Sequence, residues 1–299
     1  MTERTLSDRL RRVGGKNNSL VKELRRAFHR GELTDDGHCA IEGLRIVEEA
    51  IRSGLKFRAV FFSEAAGARG ERLLPQIGSH VETLVLPDSL FASVVPSETP
   101  QGVAALVHMP GFDLERIVEP GGVSRASKST KRTAPPGQTN DGYQAGLVVV
   151  VVGLQDPGNL GTLIRSAEAF GASGVILAGP NVSPFNSKVV RGSAGSIFRV
   201  PITRGTTEEV VSRLREHGFR LLATSSHKGT RLDEAQFSGP VAVFIGSEGG
   251  GVPREVLSEM DEVVVIPHSE RVESLNAGVA ASIILYEAAR QKKLLAASS

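Results

Sequence analysis

The 299-residue chain has no tryptophan, two tyrosines and one cysteine. The lone Cys39 excludes an internal disulfide and suits a reducing cytoplasm, and beside Ile41 it reads as a small buried apolar residue. With so few aromatic platforms, recognition of a nucleic acid would rest on shape and phosphate contacts rather than base stacking. No apolar run approaches the ~18 residues of a membrane span, so no membrane is expected as a partner. The charged segment Met1–Val13 has no apolar stretch of the secretory kind. His and Cys nowhere cluster at metal-ligand spacing, so no metal is expected. His227 and His268 each stand alone and read as ordinary loop residues. Two nucleotide fingerprints are missing as well. Gly153 and Gly158 have phosphate-loop spacing, but Asn159-Leu160 follow where a lysine and a hydroxyl are needed. Gly-x-Gly-x-x-Gly is absent from the glycine-rich turns. Both absences weaken a nucleotide-dependent enzyme.

What is present is uneven. The net charge is +2, but residues 1–30 carry nine Lys/Arg against three acids, leaving +6 there and −4 over the remainder. That asymmetry suits a polyanion, with nucleic acid first, although a solvated helix face explains the charge equally. Leu20, Val21, Leu24, Ala27 and Phe28 recur at helical spacing around Arg25, Arg26 and Arg30, and Arg45 opens a second helix carrying Leu44, Val47 and Ile51. These four arginines are the candidate nucleic-acid contacts here. Short strands at His38–Ile41, Ala59–Ser63, Val81–Leu86 and Gly102–His108 alternate with helices, predicting a small α/β domain within residues 1–109. Pro110–Gly146 is rich in Pro, Gly and Ser, with a basic run at 124–132, and reads as a flexible linker.

Residues 147–299 have the pattern of a parallel sheet. Leu147–Val152 is six apolar residues in a row, as in a strand buried on both faces. Asp156-Pro157-Gly158-Asn159 makes a turn, and Leu160, Leu163, Ile164 and Ala167 begin a helix stopped near Gly171. Further buried strands are expected at Gly174–Ala178, Arg220–Thr224, Val241–Ile245 and Val263–Ile266. A last helix is expected from about Ser274 to Lys293. Three polar turns follow such strands: Asn159–Arg165, Gly246–Gly251 and Ile266–Asn276. Such turns lie where open α/β sheets hold ligands. Their glycines free backbone amides for a base or ribose, Glu248 could orient a hydroxyl, and Arg165 could clamp a phosphate.

Asn159-x5-Arg165, then Gly246-Ser247-Glu248-Gly249, then Ile266-Pro267 followed by Glu273-Ser274-Leu275-Asn276, resembles the three motifs of the SpoU (TrmH-type) RNA 2′-O-methyltransferases of the SPOUT class. Residues 17–108, with Ile41-Glu42-Gly43 and Thr99-Pro100-Gln101-Gly102, look like the ribosomal-protein-like substrate-binding domain preceding this fold in several rRNA-modifying members. The resemblance implies a trefoil-knotted α/β domain, a homodimer and S-adenosylmethionine as methyl donor. It implies a cofactor cradle of Thr224, Ser225, Gly246, Glu248, Ile266, Pro267, Ser274, Leu275 and Asn276. Asn159 and Arg165 would reach the target nucleotide, while Glu248, Ser274 and Asn276 would order the site. Where the family commonly has Met-x-Gly after the proline, this chain has His268-Ser269-Glu270. The expected function is methylation of a ribose 2′-hydroxyl in large-subunit rRNA. A tRNA substrate, or a non-catalytic RNA-binding ribosome-assembly factor, remain the alternatives.

Overall fold

The computed structural model describes residues 9–66, 72–119 and 146–297, with side chains of the last helix described through Lys292. The basic run at 124–132 and residues 1–8 lie outside these. The first compact unit contains β1 (Leu10–Arg12), α1 (Ser19–Arg30), β2 (His38–Glu42), α2 (Leu44–Arg52), β3 (Lys56–Ser63), β4 (Glu82–Leu86), α3 (Asp88–Val94) and β5 (Val103–His108). Its sheet has the order β1-β4-β3-β5-β2. β1, β4 and β3 run parallel, while β5 is antiparallel to both β3 and β2. Asn18 starts α1 by accepting the amides of Leu20 and Val21, and left-handed Gly31 (φ 63°) ends it. Leu20, Val21, Leu24 and Ala27 then pack on Phe61, Leu84, Phe91 and Leu106. The opposite face exposes Lys22, Arg25, Arg26 and Arg30.

β1 was not foreseen, because Leu10-Arg11-Arg12 shows no alternation. It forms by pairing along β4, and the Arg9 guanidinium donates to the carbonyls of Leu74, Ile77 and Gly78 at 2.8, 2.9 and 3.1 Å. Part of the N-terminal charge therefore builds the fold.

Further along come α4 (Leu114–Val118), β6 (Leu147–Val152), α5 (Pro157–Ala169), β7 (Gly174–Ala178), α6 (Ser187–Gly192), β8 (Ile202–Gly205) and α7 (Thr207–Glu216). Then follow β9 (Arg220–Ser225), β10 (Thr230–Arg231), β11 (Val241–Ile245), α8 (Arg254–Leu257), β12 (Glu262–Val265) and α9 (Ala277–Ala297). The second unit is a seven-stranded sheet ordered β10-β12-β9-β11-β6-β7-β8, parallel throughout. Every residue of β6 is buried.

Two segments pack with a different unit from the one their place in the chain suggests. The expected linker 110–146 opens with α4, capped by Asp113, and its Ile117 and Val118 lie in the second unit's core beside Val148 and Leu214. A Cβ on Gly174 would meet Ile117 at 2.9 Å, so the two elements touch closely. Averaged composition hid this single helical turn. Conversely, Ser183–Phe198 clusters with the first unit rather than the second. Arg191 of α6 lies 3.7 Å from buried Glu42, and a Cβ on Gly195 would meet Glu49 at 2.7 Å. The order of strands and helices does not reveal which core a connecting segment joins.

β12 lies between β9 and β10, which are neighbours in sequence joined only by residues 226–229. That short link crosses β12 so closely that a Cβ on Gly229 (φ +148°) would overlap the Val263 carbonyl. Such threading is foreign to ordinary open sheets. It belongs to the trefoil-knotted class that the resemblance implies.

Candidate functional site

β6 and β11 are neighbours at the centre of the parallel sheet. The chain leaves β6 toward β7 and β8 on one side, while β11, β9 and β12 lie on the other. Loops at such a switch point diverge and leave a crevice at the carboxyl edge.

The loop after β6 enters α5 through Asp156, whose carboxylate accepts the Asn159 amide at 2.8 Å. This cap buries Asn159 and fixes its side chain, whose Nδ2 donates to Glu248 Oε1. Glu248 stands in the turn after β11. Gly246 allows that turn because a Cβ there would overlap the backbone of Gly251 and Val252. Ser247 and Gly251 then close it through paired backbone bonds of 3.2 and 2.9 Å. From the loop after β12, Asn276 caps α9 by accepting the Val279 amide at 3.1 Å. A Cβ on Gly278 would meet both Asn276 Oδ1 (3.3 Å) and the Asn159 carbonyl (3.2 Å), so the starts of α5 and α9 adjoin. The motif residues Asn159, Glu248 and Asn276 thus share one corner of the sheet.

No hydrogen bond ties Arg165 to them among the described residues. Six residues after Asn159, it sits about 120° round the helix. It is exposed beside Gly158, Thr162 and Ala169 and makes no hydrogen bond or ion pair with a described residue.

At the carboxyl ends of β9 and β12 lies a cavity of about 570 Å³. Its walls are Ser226 and His227 on one side and the stretch from Val265 to Glu273, less Ser269, on the other. Ile266 and Pro267 of the expected cradle are in these walls. Thr224, Ser225, Ser274, Leu275 and Asn276 flank them in sequence, whereas Gly246 and Glu248 belong to the neighbouring turn. His227 and His268, read as ordinary loop residues, face the same cavity. Threading brings together two loops about forty residues apart, so no local signal could have paired them.

In the first unit the expected cations Arg25, Arg26, Arg30 and Arg45 are all exposed. Arg25 also lines a notch of about 250 Å³ with Lys16, Asn17, Lys22 and the apolar Val21 and Val94. The two lysines were missing from the expected set. Nearby, possible metal-ligand atoms of Glu23, Asp36 and His38 lie within 4.8 Å of one another. Burial, opposed mainly by Glu23, lowers the His38 pKa. Sequence spacing did not show this grouping, which the fold assembles from α1, a turn and β2. Among the described residues no helix is long and apolar enough to cross a membrane.

A threaded parallel sheet carrying three motif turns at one edge defines a knotted α/β transferase. Comparison with known proteins makes the family specific. Residues 146–286 match the SpoU rRNA methylase family, and residues 18–105 match an MRM3-like substrate-binding domain. An uncharacterised tRNA/rRNA methyltransferase of Synechocystis is 31% identical, over 92% of each chain. The 23S rRNA (guanosine(2553)-2′-O)-methyltransferase RlmP of Bacillus subtilis is 28% identical over 93% of this chain and 98% of its own. The AdoMet-bound rRNA methyltransferase of Sinorhizobium meliloti superposes with a TM-score of 0.74, at 27% identity over 94% and 98% of the two chains. The chain belongs to the SpoU methyltransferase family.

Proposed function

We propose that this enzyme methylates a ribose 2′-hydroxyl of large-subunit rRNA. The observation carrying this reading is the Asn159–Glu248 hydrogen bond, which locks two motif turns together at the switch point. S-adenosylmethionine is the methyl donor and supplies an electrophilic methyl on a sulfonium. The cavity suits it: about 570 Å³ falls within the range of ~300–1,000 Å³ for small-molecule sites. Val265, Ile266, Pro267 and Val272 suit a flat base, and Glu270 and Glu273 suit a cationic group.

The protein's own task is positioning and charge. Asn159 and Glu248 hold the turns, while the Arg165 guanidinium clamps the adjoining phosphate and steadies the developing alkoxide. Arg165 reaches its site across a homodimer. The exposed apolar stripe Val279, Ile283 and Tyr286 on α9 supports this, since α9 packs beside α5 and Phe170 stacks edge-on against Tyr286. The basic face of α1 and its notch bind RNA phosphate. The substrate class follows the two-domain relative named for 23S rRNA. An RNA substrate fits a cytoplasmic enzyme.

The test is methyl transfer from labelled S-adenosylmethionine to rRNA and tRNA, with mapping of 2′-O-methyl sites. Arg165→Ala should lower turnover on rRNA by at least about 100-fold. Arg165→Lys should retain part, as a point charge without the fork. Near-normal methylation by Arg165→Ala would remove its role, and preference for tRNA would overturn the substrate.

A further inference from the structure

The cavity after β12 contains a histidine whose tautomer is set by the fold. His268 is partly buried in the wall, with Nδ1 2.7 Å from the carbonyl oxygen of Ile266. A carbonyl can only accept, so Nδ1 carries the proton and donates. In the neutral ring, Nε2 is then the nitrogen with the lone pair. The backbone around the ring is held on both sides. Pro267 precedes it, and beyond it Ser269 accepts the Arg271 amide through Oγ (3.3 Å) and the Val272 amide through its carbonyl (3.0 Å). Ser269 thus closes a turn in which Glu270 stands at the position of the glycine in the resemblance's Met-x-Gly.

Val265, Ile266, Pro267 and Val272 give the wall around His268 an apolar patch among polar and charged side chains. An acceptor that a ligand covers and strips of water is costly to leave unpaired. The flat apolar ring that fits this wall and carries a donor at its edge is adenine. We propose that Nε2 of His268 accepts a hydrogen bond from the adenine 6-amino group of the cofactor. This makes His268 a specificity-determining contact that works only with a neutral imidazole. The inference rests on reading this cavity as the S-adenosylmethionine site. His227, Glu270, Arg271 and Glu273 are the other titratable or charged groups in its walls. Protonation of His268 would replace the acceptor by a donor facing a donor.

Calorimetry on the full chain tests this, with S-adenosylmethionine as probe and wild type, His268→Asn and His268→Gln compared at pH 8 and 5.5. The asparagine amide can still donate to the Ile266 carbonyl but has no atom at the Nε2 position, so affinity should fall about tenfold. The glutamine oxygen reaches that position, and binding should stay within about threefold of wild type. On acidification the wild type should lose more affinity than His268→Gln. Both proteins keep the other wall groups and use the same cofactor, so the comparison isolates the side chain at position 268. Adenosine against inosine, which has a carbonyl in place of the amino group, identifies the donor. Wild type should prefer adenosine, and His268→Asn should lose most of that preference. Wild-type affinity in His268→Asn, identical pH dependence in wild type and His268→Gln, or an unchanged adenosine preference would each overturn the contact. If the wild type bound no S-adenosylmethionine at all, the reading of the cavity would fail and take this contact with it.

Discussion

Glu42 shows how one side chain can be placed against its own chemistry. It is 5% exposed and accepts the Ser97 hydroxyl at 2.8 Å, while Arg191 donates to the same hydroxyl at 2.9 Å. Burial raises its pKa, opposed by the Ser97 bond and the Arg191 charge. A carboxyl whose folded-state pKa exceeds its unfolded value holds extra proton in the native state. Its contribution is therefore favourable at low pH and is lost as pH rises above the ordinary carboxylate range of about 4.3. Glu42→Gln, neutral at every pH, should gain thermal stability over wild type at pH 7.5 relative to the difference at pH 4.5. A gap that stays constant in thermal melts would show that charge burial is not the cause. Cys39 follows the same physics more simply: full burial raises its thiol to about 12, which agrees with its reading as a small core residue.

Among the elements, those that bury apolar runs were legible and those recruited by neighbours were not. β6, β7 and β11 fall at the positions expected from continuous apolar sequence, because a strand covered on both faces needs nothing else. β12 ends at Val265, one residue before the expected limit, and α9 starts at Ala277 rather than near Ser274 because Asn276 caps it. β8 starts after Pro201, and β10 is two residues long; neither carries a pattern of its own. β10 exists because β12 supplies an edge, and the link before it must pass over that strand. Gly229→Ala should therefore destabilise the second unit by more than about 2 kcal/mol in denaturant unfolding, through strain at positive φ and overlap with β12. A change below about 0.5 kcal/mol, ordinary for a surface site, would show that the crossing is not close.

For the whole molecule, the proposed second copy is what would bring Arg165 to the motif corner. Arg165 lies on the same side of α5 as exposed Thr162 and Ala169, and α9 beside it presents Val279, Ile283 and Tyr286, the last 55% exposed. Single exposed apolar residues are ordinary, but a stripe at helical spacing suits a covered face. Given the homodimer proposed above, Ile283→Glu should shift the protein from dimer to monomer in sedimentation. It should also lower methylation about as much as Arg165→Ala while leaving the fold intact by circular dichroism. A monomer with full activity, or a dimer unaffected by the charge, would refute delivery of Arg165 by a second copy.

Sequence alone determined the parallel-sheet class, the order of the motif turns and the basic face of α1. Each rests on local patterning, whether an apolar run, a glycine that permits a turn, or charges spaced around a helix. The motif resemblance implied the knot, but tertiary structure alone decided which strands it joins, that α4 belongs to the second core, and that His227 and His268 share one cavity. These depend on which distant surfaces bury each other, and burial between remote segments leaves no periodic trace along the chain.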